Sequence, residues 1–218
     1  MARYGALPPP FKEDQEPNPE DPYGIGKLAA EKFLRNLCET HGVEYAIAVP
    51  HNIIGPRQKY DDPYRNVASI MINLMLQDRQ PIIYGDGSQQ RCFSFIEDCL
   101  YCLKEMAFRN EVVGQVINIG PDEEVVSIND LVARIANQIR FNKEPLYLPG
   151  RPKEVKNAIC SSDKARAFLN YKTTVSLDDG LAKMIEYIKK RGVRPFKYHI
   201  DLEITNDRTP RTWTDRLF

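Results

Sequence analysis

A helical repeat that runs straight into a buried strand, and from there into a polar loop, constrains this sequence most. Ile25, Leu28, Ala29, Phe33 and Leu37 recur at helical spacing within residues 24–41, and Gly42 stops the run. VEYAIAV at 43–49 then reads as a buried strand that ends in the loop PHNIIGPRQ. A helix, then a strand, then polar residues just past the strand end is the rhythm of an open α/β sheet, where ligands gather at strand ends. The rhythm continues with an apolar helix at 64–77, a short strand PIIY at 81–84, a tight turn at 85–87 and an alternating CFSFI at 92–96. A helix over 97–107 and a strand QVINIG at 115–120 follow. Ser127 with Asp130, and Ser176 with Asp179, make capping-box starts for two more helices, with strand-like PLYLP between them.

Residues 1–22 hold six of the sixteen prolines and a cluster of acids, so they are expected to form an extended loop rather than a packed element. The tail after Gly192 is aromatic and proline-containing, and RTPRTWTDRLF reads as an arm that packs on the surface or on a partner. With 42% hydrophobic residues the chain can bury a sizeable core. Thirty basic residues offset thirty acidic ones, which removes the electrostatic reason to expect nucleic acid or a membrane surface as partner. There is no apolar run near the roughly 20 residues of a membrane span and no signal-peptide core in MARYGALPPP, so the expected compartment is the cytoplasm. The five cysteines, Cys38, Cys92, Cys99, Cys102 and Cys160, are odd in number and scattered, as reduced thiols are. Cys99 and Cys102 form a C-x-x-C, but His41, His51 and His199 lie at no matching spacing, and no metal site is expected.

Chemistry is suggested first by Tyr23 and Lys27, four residues apart and so on one helix face. A phenol is a poor base at neutral pH, and a fixed ammonium beside it favours the phenolate. Such a pair can remove a hydroxyl proton while a hydride leaves the same carbon. The GIGKLA at 24–29 formally fits a dinucleotide-binding turn, but it follows PEDPY rather than a strand and is explained by the Tyr23–Lys27 helix.

Other segments fall in the order of one family: ARYG at 2–5, PYGIGKLAAE at 22–31, PHNIIGPRQ at 50–58, RNV at 65–67, YGDGSQQRCFSFIED at 84–98, INIG at 117–120, then RPKEV from Arg151 and SSDKAR from Ser161. The chain resembles the extended short-chain dehydrogenases/reductases, in particular the NAD-dependent sugar-nucleotide epimerases and dehydratases typified by UDP-glucose 4-epimerase. The resemblance implies an α/β fold: the C-terminal part of a Rossmann-type parallel sheet plus a smaller mixed α/β substrate-binding domain. Residues 1–62 would be the part of the NAD-binding domain that carries the Tyr/Lys pair, and residues 63–218 mainly the substrate domain, with some segments returning to the sheet.

By the same resemblance Tyr23 is the catalytic base and Lys27 its electrostatic partner, which also bonds the nicotinamide ribose. Pro50 and His51 match the stretch beside the nicotinamide, His51 as packing or cofactor shelf rather than as an acid or base. Asn52 and Asn66 match sugar-nucleotide contacts. Arg91 and Arg151 match the two arginines that hold the diphosphate, a task suited to forked guanidinium donors. Ile82 and Tyr84 fall where the nucleobase packs, and Glu154 where an acid binds the nucleoside ribose. The expected substrate is a nucleotide sugar, UDP-linked, and the expected cofactor is NAD. The family's glycine-rich turn is not among these 218 residues, and its Ser/Thr aligns ahead of Met1. The expectation is therefore a chain lacking the N-terminal Rossmann half and inactive alone. A non-catalytic sugar-nucleotide-binding protein, a split enzyme completed by a complementing Rossmann half, a homodimer, and a nucleotide-sugar decarboxylase or dehydratase stay open as alternatives.

Overall fold

A computed structural model of the chain describes residues 2–5, 7–152 and 154–218. The elements run α1 (Pro22–His41), β1 (Ile47–Pro50), β2 (Ile53–Ile54), α2 (Val67–Leu76), β3 (Ile82–Tyr84), β4 (Gln90–Arg91), β5 (Ser94–Phe95) and α3 (Ile96–Met106). After a 3-10 turn at Asn110–Val112 come β6 (Val116–Ile119), β7 (Val126–Ser127), α4 (Ile128–Ile139), β8 (Leu146–Leu148), β9 (Asn157–Ala158), α5 (Asp163–Leu169), α6 (Leu177–Arg191) and α7 (Arg211–Thr214). They form two compact units. Met1–Ile53, Gln90–Val125 and Val155–Ser176 make the first, and Ile54–Gln89, Val126–Glu154 and Leu177–Phe218 the second.

In the first unit β1 and β6 pair in parallel, Ile47 opposite Val116 and Pro50 opposite Ile119. All four residues of VINI are buried, the continuous apolar run of a strand covered on both faces. Ile117 and Ile119 join Cys99, Cys102, Val112, Ala165, Leu169 and Tyr171 in one cluster. Each fully buried isoleucine contributes about 2 kcal/mol of transfer free energy. The C-x-x-C thus lies on the buried face of α3, as core.

The expected extended loop ahead of α1 is irregular but packed, which corrects the sequence reading. Tyr4 and Phe11 are fully buried and stack with ring centroids 5.1 Å apart. The Tyr4 hydroxyl donates to Asn118 Oδ1 at 2.8 Å, and the Asn118 amide group donates to the Phe11 carbonyl at 3.2 Å. Two aromatic side chains in a proline-rich stretch anchor it to β6, and Phe11 also forms an isolated parallel bridge to Cys160.

Helix α1 starts where its chemistry dictates. Asp21 accepts from the Gly24 N–H at 2.8 Å, Pro22 occupies the first turn, and Gly42 closes the helix at φ 64°. A Cβ on Gly24 would sit 2.5 Å from the Ala2 carbonyl oxygen, so only glycine lets this turn approach residue 2. The helix forms as its spacing predicts, and its apolar stripe is open: Phe33 is 70% exposed, and Ile25 and Leu37 are also exposed. Periodicity identifies the apolar face of a helix but not what covers it.

In the second unit α2 is apolar almost all round and buried from Ala68 to Met75, packed against α4 and α6. Asn66 caps it through the Ala68 N–H. The Ser127–Asp130 capping box expected for α4 is present in full. β3 and β8 pair in parallel, Ile82 opposite Leu146 and Tyr84 opposite Leu148. Among the described residues no helix is long and apolar enough to cross a membrane.

Candidate active site

Tyr23 and Lys27 lie one turn apart in the first half of α1, with the Lys27 ammonium 5.5 Å from the Tyr23 ring centroid. They line a pocket of about 350 Å³ in the first unit, together with Arg3, Glu31 and residues 47–50 at the end of β1. Tyr23 is 67% exposed, so its phenol is accessible to a ligand. Tyr23, Lys27 and Glu31 occupy positions i, i+4 and i+8, one stripe of the helix.

Arg3 is a site residue that sequence reasoning passed over. Its guanidinium donates to Glu31 at 2.9 Å and to the Tyr4 hydroxyl at 3.2 Å, and Glu31 also accepts from Arg35 at 3.0 Å. Arg3 and Glu31 form a nearly buried ion pair in the pocket wall. The i+4 spacing of Glu31 from Lys27 was the available signal. Nothing local pointed to Arg3.

Pro50 lines the pocket at the end of β1, whereas the His51 ring does not. His51 is buried, its Nε2 donates to the Pro121 carbonyl at 3.1 Å, and its own carbonyl accepts from the Ser94 hydroxyl at 2.6 Å. Burial lowers its imidazole to about 4, against the opposing pull of the Pro121 carbonyl and Asp122. Gly120, at φ 142°, passes so close that a Cβ there would lie 2.5 Å from His51 Nε2. The ring is therefore a neutral spacer between the ends of β1 and β6. Asn52, at φ 45°, donates from Nδ2 to the Cys92 carbonyl at 2.7 Å, which ties the loop after β1 to the segment after β4.

Arg91 on β4 donates to the carbonyls of Gln90 and Lys156 at 2.7 and 3.1 Å, next to the parallel β4–β9 pair. Both bonds come from one terminal nitrogen of the guanidinium, so the tip of the side chain is held against the backbone of the first unit.

The second unit gathers another group of the expected residues. The Arg151 guanidinium stacks over the Tyr84 ring, 5.1 Å from its centroid, and pairs with Glu154 at 2.7 Å. Ile82 precedes Tyr84 on the same strand and is buried. Asn66 immediately precedes α2, and its side chain caps the helix. The turn after β3 is closed by Asp86, which accepts from the Ser88 N–H at 2.9 Å and from its hydroxyl at 2.7 Å. Asp86, Gly87 and Ser88 thus serve as a turn.

Among the described residues no group of three or more His, Cys, Asp or Glu side chains could hold a metal ion. GIGKLA lies wholly inside α1 and follows a loop, so it offers no strand-to-helix phosphate turn.

A parallel-stranded α/β fold with a tyrosine and a lysine one helical turn apart at a strand-end pocket defines the short-chain dehydrogenase/reductase class. The chain belongs to the GDP-mannose 4,6-dehydratase family, whose model matches residues 2–184. It is 30% identical over 192 residues to a UDP-glucose 4-epimerase of Mycolicibacterium smegmatis, covering 87% of this chain and 60% of the relative. It is 27% identical over 204 residues to a UDP-N-acetyl-alpha-D-glucosaminuronate decarboxylase of Bacillus cytotoxicus, covering 86% and 61%. A solved structure of UDP-glucuronic acid 4-epimerase from Bacillus cereus, in complex with UDP-glucuronic acid and NAD, superimposes with a TM-score of 0.81 at 31% identity. That match covers 88% of this chain and 60% of the solved one. The α/β fold expected from the sequence is the fold shared with it over the matched part. The chain spans about 60% of the length of the curated relatives it matches.

Proposed function

We propose that this chain carries the catalytic pair and nucleotide contacts of an NAD-dependent 4-epimerase acting on a UDP-linked hexose. The observation that carries the reading is the Tyr23–Lys27 pair at the rim of the pocket that ends in Pro50. On this reading residues 1–62 belong to the cofactor side and residues 63–218 mainly to the substrate side.

The residues fit the nicotinamide end of NAD, where Lys27 would hold the ribose and Pro50 the ring. For the pyrophosphate end the described residues supply no glycine-rich turn. Bound NAD would supply the hydride acceptor and, on the return step, the donor. Tyr23 would take the proton of the C4 hydroxyl. On the return step Tyr23 would give that proton back to the same oxygen. Arg91 and Arg151 are assigned to the diphosphate, Tyr84 and Ile82 to the nucleobase, Glu154 to the nucleoside ribose, and Asn52 and Asn66 to further substrate contacts. Five free, buried cysteines suit a reducing compartment, the cytoplasm.

A second reading is favoured by Tyr84, Arg151 and Glu154, which lie together in the second unit and not among the residues of the Tyr23 pocket: a non-catalytic nucleotide-sugar-binding chain. Proton NMR of UDP-glucose incubated with the chain and NAD, beside calorimetry with UDP-glucose, separates the two. Conversion to UDP-galactose supports the enzyme. Binding without conversion supports the second reading, and no binding contradicts both.

A further inference from the structure

Beyond residue 184, where the family match ends, the chain returns to the second unit as an arm, and one residue of that arm is held on three atoms. The Tyr84 hydroxyl donates to Thr212 Oγ1 at 2.8 Å and accepts from the Thr212 N–H at 3.0 Å. The Thr212 carbonyl accepts from the Tyr198 hydroxyl at 2.8 Å, and that hydroxyl in turn accepts from the Phe218 N–H at 3.0 Å. Arg79 donates to the Leu217 carbonyl at 3.0 Å, and Trp213 packs edge-on against Tyr64 at 5.2 Å. Thr212 is 1% exposed, although its neighbours Arg211 and Thr214 are exposed. The arm is therefore docked, with Thr212 as its buried anchor.

A phenol O–H prefers to lie in the plane of its ring, so a hydroxyl that both donates to and accepts from one residue is held in position and its ring plane is biased as well. Arg151 stacks on that plane. A long arginine side chain loses conformational entropy when it is ordered, and a preset stacking face means that less is lost when a ligand binds.

We propose that Thr212 is a positioning residue for nucleotide binding, acting through the Tyr84 ring on Arg151. The proposal rests on the nucleotide-site reading of Tyr84 and Arg151 given above. It makes the arm a working part of the nucleotide site.

The test is calorimetric titration of the full chain with UDP. Thr212→Val keeps the shape and backbone N–H but removes the hydroxyl, and Tyr84→Phe keeps the ring but removes both bonds. Thr212→Val is expected to raise the Kd by about fivefold, the worth of one hydrogen bond, and Tyr84→Phe by at least as much. The double variant is expected to bind no more weakly than Tyr84→Phe, because both changes break the same link. Thr212→Ser recovers most of the affinity. Trp213 is the sole tryptophan, and its emission reports whether the arm stays docked; it is expected to be unchanged in Tyr84→Phe. Wild-type binding of UDP with equal or tighter binding by both variants overturns the proposal and leaves the nucleotide reading intact. Failure of the wild type to bind UDP overturns the nucleotide reading, and this proposal with it.

Discussion

The Lys27 ammonium stands 5.5 Å from the centre of the Tyr23 ring, one helical turn away on the exposed rim of the β1 pocket. Where the chain converts a UDP-hexose, Tyr23→Phe is expected to lower kcat by about 10²- to 10⁴-fold, the usual worth of a positioned acid–base group. Calorimetric affinity for UDP-glucose should change less than about twofold, because the lost hydroxyl acts in the reaction rather than in nucleotide binding. Parallel loss of affinity and turnover would assign Tyr23 to ground-state binding instead.

Arg3 and Glu31 are each less than a tenth exposed in the side chain and are ion-paired. Removing one member leaves the other charge buried without compensation, at a cost of about 3 kcal/mol or more. Urea unfolding should show that loss for Glu31→Ala. Arg35→Ala, which removes the more exposed partner, should cost less than about 1 kcal/mol. Equal effects would mean that the Arg3 pair is solvated.

His51 gives the fold a pH dependence of known sign. Its imidazole titrates at about 4 when folded, because of burial, and near its ordinary 6.5 when unfolded. The unfolded chain therefore takes up the proton first as pH falls. The stability linked to the neutral ring is fully present above pH 6.5 and is lost on the way down to about 4, on the order of 3 kcal/mol. The lowered carboxyls of Asp122 and Asp130 lose their contribution only below the ordinary carboxylate value of about 4. Unfolding free energies at pH 7 and pH 5 should differ more for the wild type than for His51→Gln. The same slope in the two proteins would show that His51 is not the group responsible.

The cysteines should be chemically silent while the chain is folded. All are buried; burial pushes the thiols of Cys92 and Cys102 up to about 12 and those of Cys99 and Cys160 up to about 11. Thiolate is the reactive species, so labelling by an aromatic disulfide at pH 8 should be slow and should accelerate with urea. Rapid native labelling of Cys99 or Cys102 would contradict their place in the β6 core.

What could be read from the sequence was what is local. Tyr23 and Lys27, the Ser127–Asp130 box and the Gly42 stop depend on residues within one turn of each other, and the structure contains each as expected. Strands β4 and β9 are two residues long, too short for any alternation to be visible, and the seven-residue α5 is too short for a stripe. Arg3–Glu31 and Tyr84–Thr212 join residues 28 and 128 positions apart, and no spacing rule connects them. The open face of α1 and the inward ring of His51 lie beyond such rules for a related reason. Pattern and motif describe the residue itself, whereas burial is decided by what packs against it.

The central claim is that this chain recognises a UDP-linked sugar, and calorimetric titration of the full chain with UDP-glucose tests it most directly. The account predicts saturable binding at one site per chain, weakened about tenfold or more in Arg151→Ala through loss of the forked donor to the diphosphate. No saturable heat from the wild type, or unchanged affinity in Arg151→Ala, would contradict it.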